Sequence, residues 1–183
     1  MAEYYLVAQL PSLDGIGENT PLPITQERFL ELCGRHLGKK ALKEIENITL
    51  APKMDFEKSD SKLIQAWNDG ERNLRLALAK ARAENLNRSF DLKNYYVPRH
   101  LETISNTALG MDNPLEAEIY LLNYRLGFLE TLRPMDNFSE EFVFYYAIKL
   151  KLISRIRQFD KALGEAEYKR IYNSILKGKS EAC

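Results

Sequence analysis

The sequence predicts a mainly α-helical fold, an elongated bundle of antiparallel helices with at most a short β piece near the N-terminus. Three stretches, 61–86, 113–132 and 139–160, carry apolar residues at alternating steps of three and four, which is the spacing of one face of an α-helix. The connection between the last two stretches is short, and short connections favour antiparallel pairs. Any β-structure is therefore expected to be confined to residues 4–10 or 46–51.

The N-terminal quarter of the chain predicts two short helices after a segment of ambiguous structure. Residues 4–10 are aromatic and aliphatic, and so short a run fits either a strand or the start of a helix. A loop rich in glycine and proline follows from 11 to 23. Thr25 is predicted to cap a helix that ends at Gly38, and a second helix is predicted from 41 to 48.

The stretch 61–86 carries a strong helical pattern with one interruption. Its shared apolar face consists of Leu63, Trp67, Leu74, Leu78 and Ala81. The sequence Asn68-Asp69-Gly70 interrupts this face, and glycine inside a helix costs roughly 1 kcal/mol relative to alanine. Either one kinked helix or two abutting helices fit the pattern. Residues 87–98 are interpreted as a connector, and 100–108 as a further short helix.

The clearest helical pair lies between residues 113 and 160. Asn113 can cap the first helix, Pro114 suits its first position, and Glu116 completes a capping-box-like pattern. The apolar face of this helix consists of Leu115, Ile119, Leu122, Leu126 and Leu129. Proline at 134 ends it, because proline disfavours α geometry in the preceding residue. The second helix starts at about Ser139, and its apolar side consists of Phe142, Tyr146, Leu150, Ile153 and Phe159.

Length and composition indicate an ordinary globular protein. The 183 residues, 45% hydrophobic and 28% charged, fit a single helical domain, divisible into an N-terminal portion (1–58) and a helical body (59–177). Basic and acidic residues number 26 each, so no whole-chain field attracts a polyanion. We expect neither a membrane span, which needs roughly 20 apolar residues, nor a secretion signal. Cys33 and Cys183 are accordingly expected to be reduced thiols in a cytoplasmic protein.

No stretch of the sequence carries a recognisable catalytic, cofactor or metal motif. Gly15-Ile16-Gly17 lacks the strand-to-helix context of a phosphate-binding loop. His36 and His100 are the only histidines, and neither belongs to a pair with the spacing that helical metal sites use. Cys33 and His36 are one helical turn apart without an oxyanion device, so Cys33 is interpreted as a core residue. We expect a protein that is not an enzyme and needs no cofactor or metal.

The C-terminal third mixes cations with aromatic residues. Such mixing can bind nucleic acid, but it is equally typical of a packed helix with long cations, or of a protein–protein surface anchored by tyrosine and arginine. The candidates for packing or partner contacts are Trp67, Arg75, Tyr145, Tyr146, Arg157 and Phe159. Because the run 142–148 is apolar all round, some of it is expected to stay exposed, with Tyr145 or Tyr146 as an anchor.

Three segments of the chain, taken in order, resemble a known family. The first is residues 4–11 (YYLVAQLP), followed by 24–25 (IT) and 29–33 (FLELC). The second is residues 71–75 (ERNLR), followed by 79–82 (AKAR). The third is residues 113–118 (NPLEAE), followed by 146–150 (YAIKL) and 157–160 (RQFD). This order resembles a small bacterial family of unassigned function encoded among the subunits of V-type (archaeal-type) ATPases. The individual motifs are short, so the specificity of the resemblance comes from their order over nearly the whole chain.

A more distant similarity is to the C subunit of those ATPases, named d in the eukaryotic enzyme, a helical, funnel-like, non-catalytic protein that joins the rotor stalk to the membrane ring. Its repeated units carry an Asn-Leu-Arg step before a basic helix. Asn73-Leu74-Arg75 matches that step, and Ile156-Arg157 matches it in part, since Arg155 stands where asparagine is expected. This chain is much shorter than the C subunit and cannot reproduce its three-unit funnel.

These resemblances imply a non-catalytic subunit or assembly factor of a bacterial V-type ATPase. Such a protein would be a helical linker that contacts other ATPase subunits. Its partners would hold it at the cytoplasmic face of the membrane, and it would not insert into the bilayer. The alternative function is that of an independent helical adaptor that binds nucleic acid through the basic C-terminal helix.

Overall fold

The protein is mainly helical in a computed structural model. The structure describes residues 2–16, 20–52, 59–91, 96–157, 164 and 166–173. Within these ranges the chain forms seven helices, followed by a helical segment at 166–173, and the same ranges contain no strand. The prediction of a mainly α-helical fold is therefore confirmed.

The helix bounds agree with the periodicity of the sequence. The seven helices are α1 (Ala2–Val7), α2 (Gln26–His36), α3 (Lys39–Asn47), α4 (Lys62–Asn85), α5 (Arg99–Leu109), α6 (Pro114–Thr131) and α7 (Glu140–Ile156). The longest of them, α4, α6 and α7, occupy the three stretches with the strongest periodic pattern. The short helices predicted from 41 to 48 and from 100 to 108 correspond to α3 and α5.

Side chains at the N-caps explain where four of these helices begin. The hydroxyl groups of Thr25, Ser61 and Ser139 accept hydrogen bonds from the backbone N–H three residues later, at 3.2, 3.1 and 3.2 Å. Asn113 Oδ1 accepts from the Leu115 N–H at 3.0 Å, while Asn113 Nδ2 donates to Glu116 Oε1 at 3.1 Å. These bonds satisfy amide groups that have no partner within the helix itself. The predicted caps Thr25 and Asn113 are confirmed.

The ambiguous N-terminal segment is helical at its start. Residues 2–7 form α1, and a hydrogen-bonded turn continues from it, with Ala8 N–H donating to Tyr4 O at 3.0 Å. Leu6 is fully buried, and α1 packs against α2 and α7. Tertiary packing of this one leucine supports a helix of six residues that would be unstable alone.

Helix α4 runs without a break through Asn68-Asp69-Gly70, so the alternative of two abutting helices is wrong. Glycine suits position 70 because the Phe128 ring of α6 lies close to the backbone there. A Cβ atom at this position would lie 2.3 Å from Cε1 of Phe128 on α6. That ring in turn stacks on Trp67, with centroids 6.2 Å apart and an interplanar angle of 28°. The glycine therefore allows α6 to bring an aromatic ring against the backbone of α4.

Two glycine substitutions should change stability in opposite directions. Gly70→Ala should lower the free energy of unfolding, because the Phe128 ring is held against Trp67 and overpacking it can cost up to about 3 kcal/mol, against roughly 1 kcal/mol gained in helix propensity. Gly127→Ala is the matched control, since a Cβ at Gly127 in α6 meets open space. That variant should be stabilised by up to about 1 kcal/mol. Urea denaturation measures both, and equal stabilisation of the two variants would contradict the close approach.

Two hydrophobic clusters form the interior of the described protein. The larger one combines α1, α2 and α3 with the first turns of α4, the second half of α6 and all of α7. The smaller one joins the second half of α4 to α5 and to the first half of α6. The larger cluster contains Leu6, Ile45, Trp67 and Ile153, so the N-terminal portion and the helical body share a core.

Ion pairs show that α6 and α7 are antiparallel. Glu130, near the end of α6, accepts from Tyr145 in the first half of α7 and from Lys149 near its middle, at 2.6 and 2.7 Å. Glu118, near the start of α6, accepts from Arg155 in the last turn of α7 at 2.9 Å. The short connection between these helices therefore produces the predicted antiparallel pair.

A buried ion pair joins α4 to α6. Arg125 donates from Nε and Nη2 to both oxygens of the Glu71 carboxylate, at 2.8 and 3.0 Å. Arg75, one turn along α4, donates to Glu71 Oε1 at 2.9 Å. Glu71 is 2% exposed and Arg125 is 8% exposed. This bidentate pair fixes the separation and register of the two helices.

Candidate protein-interaction surface

The two tyrosines proposed as exposed anchors are buried, and that expectation was wrong. Tyr145 and Tyr146 are 2% and 4% exposed, and residues 143–150 are buried without exception. The physical reason is that α7 is the central helix, packed against α1, α3, α4 and α6. A helix with neighbours on all sides can be apolar all round without leaving a face for a partner.

The buried tyrosines organise the interior. Tyr146 stacks on Phe29 of α2 with ring centroids 5.4 Å apart, and its hydroxyl donates to the Pro11 carbonyl at 2.8 Å. The Tyr145 hydroxyl donates to Glu130 at 2.6 Å. Burial raises the pKa of both phenols, to about 12 for Tyr145, where hydrogen bonding to Glu130 adds to the effect. Both rings therefore act in packing, as Trp67 does at 1% exposure.

Lys149 of α7 makes three side-chain hydrogen bonds. Its ammonium group donates to Asp14 Oδ1 at 2.5 Å, to Glu130 Oε1 at 2.7 Å and to the Tyr145 hydroxyl at 3.2 Å. Burial opposes the charged form, but these hydrogen bonds outweigh it and raise the pKa of Lys149. The hydrogen bond from Lys149 lowers the pKa of Asp14. This network ties the segment 11–16 to the middle of α7.

The remaining cations of α7 are also engaged within the protein. Lys151 donates to the Ile48 carbonyl, and Arg155 pairs with Glu118. Arg157 is half-buried at the C-cap of α7. Exposed cations also lie in the helical segment at 166–173, where Lys169 and Arg170 are close in sequence to the exposed rings of Tyr168 and Tyr172. The nucleic-acid alternative therefore stays a prediction. Phe159, the last of the six candidate residues, lies outside the described residues.

An exposed aromatic patch lies on a different region of the molecule. We define it as Tyr4, Tyr5 and Phe138, which are 54%, 62% and 48% exposed. The Tyr4 ring lies 4.8 Å from Phe138 and 5.9 Å from Tyr5, measured between ring centroids. The patch combines α1 with the connection between α6 and α7, two regions far apart in the sequence. Sequence reasoning missed it because only the fold brings these regions together.

Two carboxylates lie close in sequence to this aromatic patch, Glu3 next to Tyr4 and Glu140 two residues after Phe138. Glu140, in the first turn of α7, has a pKa raised by burial and then by the negative charges of Glu3, Glu141 and Glu44. Lys40 is the cation that opposes this effect, and it is itself paired with Asp60 at 2.6 Å. A carboxyl group surrounded by like charges marks a region of negative potential. Such a region favours partners that bring positive charge.

Cys33 and His36, the two residues considered for nucleophilic catalysis, both lie in α2. Cys33 is fully buried, and burial raises the pKa of its thiol to about 12, which keeps it protonated at neutral pH. The His36 ring contacts Gln9, with Nε2 atoms 3.1 Å apart. Across the described residues, no group of three side chains is placed to hold a metal ion, and no helix is long and apolar enough to cross a membrane.

Comparisons with known proteins found no relative of this chain. No family model matches the sequence, no curated protein matches it, and no solved structure matches the fold. The class that the fold defines is that of mainly α-helical proteins.

Proposed function

We propose that this protein is a non-catalytic subunit or assembly factor of a bacterial V-type ATPase. In this role it acts as a helical linker between other subunits, in the cytoplasm and at the membrane surface through its partners. The observation that carries the proposal is the aromatic patch of Tyr4, Tyr5 and Phe138, which the isolated chain leaves exposed. Clustered aromatic side chains in water are typical of surfaces that another protein covers.

The segments that carry the family resemblance also support this function. Residues 71–75 contain the glutamate that clamps α4 to α6, and residues 113–118 contain the cap and first turn of α6. Residues 146–150 lie in the buried centre of α7. A family that shares these segments would share a rigid helical body. Such a body suits a linker, which must hold its partners at a fixed separation under load.

The charge around the patch specifies the kind of partner surface. Glu140, two residues after Phe138, is within electrostatic reach of Glu3, Glu141 and Glu44. A partner segment bearing lysine or arginine together with apolar side chains would complement both features. Arginine in particular can stack on tyrosine rings while it pairs with a carboxylate.

A triple substitution of the patch tests the linker function. The variant Tyr4→Ser, Tyr5→Ser, Phe138→Ser should lose co-purification with V-type ATPase subunits from native cells. Removal of an aromatic anchor commonly costs about 2 kcal/mol or more, which is about a 30-fold loss of affinity. The side chains are exposed, so the melting temperature should change little.

A matched control distinguishes the patch from general surface polarity. Tyr96 is 79% exposed and precedes α5, and Tyr96→Ser should leave co-purification unchanged. Recovery of no ATPase subunit by the wild-type protein would remove the proposed function. Recovery of the same subunits by the triple variant would show that the patch is not the contact.

A further inference from the structure

A cavity of about 300 Å³ lies where α4, α6 and α7 meet, and Leu50 and Ala51 border it on one side. Three rows of side chains line it, one from each helix. They are Arg75, Leu78 and Arg82 from α4, Glu118, Leu121 and Arg125 from α6, and Leu152 and Arg155 from α7. The helices therefore line the cavity with four guanidinium groups, three leucine side chains and the Glu118 carboxylate.

We call this cavity the arginine pocket, after the four arginines that line it. Two carboxylates pair with them. Glu71 accepts from Arg125 and Arg75, and Glu118 accepts from Arg155. The pocket therefore brings four arginines together with the Glu118 carboxylate, and Glu71 is paired with two of these arginines.

Arg82 provides the side chain that is available to a ligand. It is exposed on α4, and within the described residues it has no ion-pair partner. Arg75, two turns earlier on the same face, uses Nε for Glu71 and Nη2 for the Leu50 carbonyl at 3.1 Å. Arg125 is held rigidly by its bidentate pair with Glu71. The pocket thus combines fixed cations with one that can close over a bound group.

We propose that the arginine pocket binds a phosphate group. The planar guanidinium fork matches the geometry of phosphate oxygens, and no ion pair among the described residues occupies the guanidinium group of Arg82. The volume of 300 Å³ exceeds that of a single phosphate and lies at the lower end of small-molecule sites. Leu78, Leu121 and Leu152 supply an apolar wall for an attached organic group. The phosphate is either free inorganic phosphate or the phosphoryl group of a small phosphomonoester.

Isothermal titration of the full-length protein at low salt distinguishes these two sources. Inorganic phosphate and phenyl phosphate are the probes, and benzoate is the monoanionic counterpart of the second. Tighter binding of phenyl phosphate than of inorganic phosphate identifies a phosphomonoester site, whereas equal or weaker binding identifies a site for phosphate itself. Absence of binding by both phosphates, or equal binding of benzoate and phenyl phosphate, would overturn the proposal.

Substitution of Arg82 locates the binding. Arg82→Gln should weaken phosphate binding by about tenfold, the effect of losing one charged hydrogen-bonding partner, and Arg82→Lys should retain some of the affinity. Both variants should keep the wild-type melting temperature, because the side chain is exposed. Arg99→Gln removes an exposed arginine outside the pocket and should bind like the wild type. If Arg82→Gln binds like the wild type, or if Arg99→Gln loses as much affinity, the assignment to this pocket is wrong.

Discussion

Replacing Glu71 by glutamine should lower the free energy of unfolding by about 3–5 kcal/mol, the effect expected when one partner of a buried ion pair is removed. Arg125 would keep its charge in a site where its side chain is 10% exposed, without the carboxylate that compensates it. Arg75 would be affected less, because its side chain is 46% exposed and can turn towards water. Urea denaturation followed by circular dichroism measures the change.

Two further variants test whether the loss comes from the uncompensated charge. Arg75→Ala should cost only about 1 kcal/mol or less, as an exposed ion pair does. Glu71→Leu combined with Arg125→Met removes both buried charges and should recover most of the stability lost by Glu71→Gln. If the double variant is as unstable as the single one, the buried charge is not the cause, and lost packing would explain the result instead.

The sequence predicted the helices well because the information that specifies them is local. Apolar spacing and capping residues act within a few positions, and Thr25 and Asn113 cap the helices as expected. The Glu71–Arg125 pair joins residues 54 apart, and no local pattern distinguishes these two from surface charges. Which helix lies at the centre is likewise a tertiary property, so the sequence left both packing and partner contact open as roles for the aromatic residues of α7.

The candidate surface illustrates the same limit. Tyr145 and Tyr146 were singled out because they lie in an apolar run, yet four neighbouring helices cover that run. Tyr4 and Phe138 lie in segments that carry no pattern in common, and their rings meet only in the folded chain. Arg75 was identified from the step Asn73-Leu74-Arg75, and the structure places it in the arginine pocket. The sequence identified candidate residue types, but it did not show which of these residues contact one another in the folded chain.

Truncation of Tyr146 to alanine should destabilise the protein by about 3–5 kcal/mol, the range measured for large aromatic side chains in protein cores. Tyr146 is 4% exposed and stacks on Phe29, so its removal leaves a cavity between α7 and α2. Tyr146→Phe keeps the ring and removes only the hydroxyl that donates to the Pro11 carbonyl. That variant should cost about 1 kcal/mol, the typical contribution of one hydrogen bond.

Tyr146→Phe should also increase local opening in one segment of the protein. Without the hydroxyl, the segment 11–16 keeps its ion pair between Asp14 and Lys149 but loses its second attachment to α7. Amide hydrogen exchange in Tyr146→Phe should therefore accelerate in residues 12–16 and remain slow in α7. Tyr96→Ala, at an exposed tyrosine, should change neither stability nor exchange in these regions. Equal destabilisation by Tyr146→Ala and Tyr96→Ala would show that Tyr146 does not hold α7 against α2. If exchange in Tyr146→Phe changes equally in residues 12–16 and in α7, the Tyr146 hydroxyl does not secure the segment 11–16.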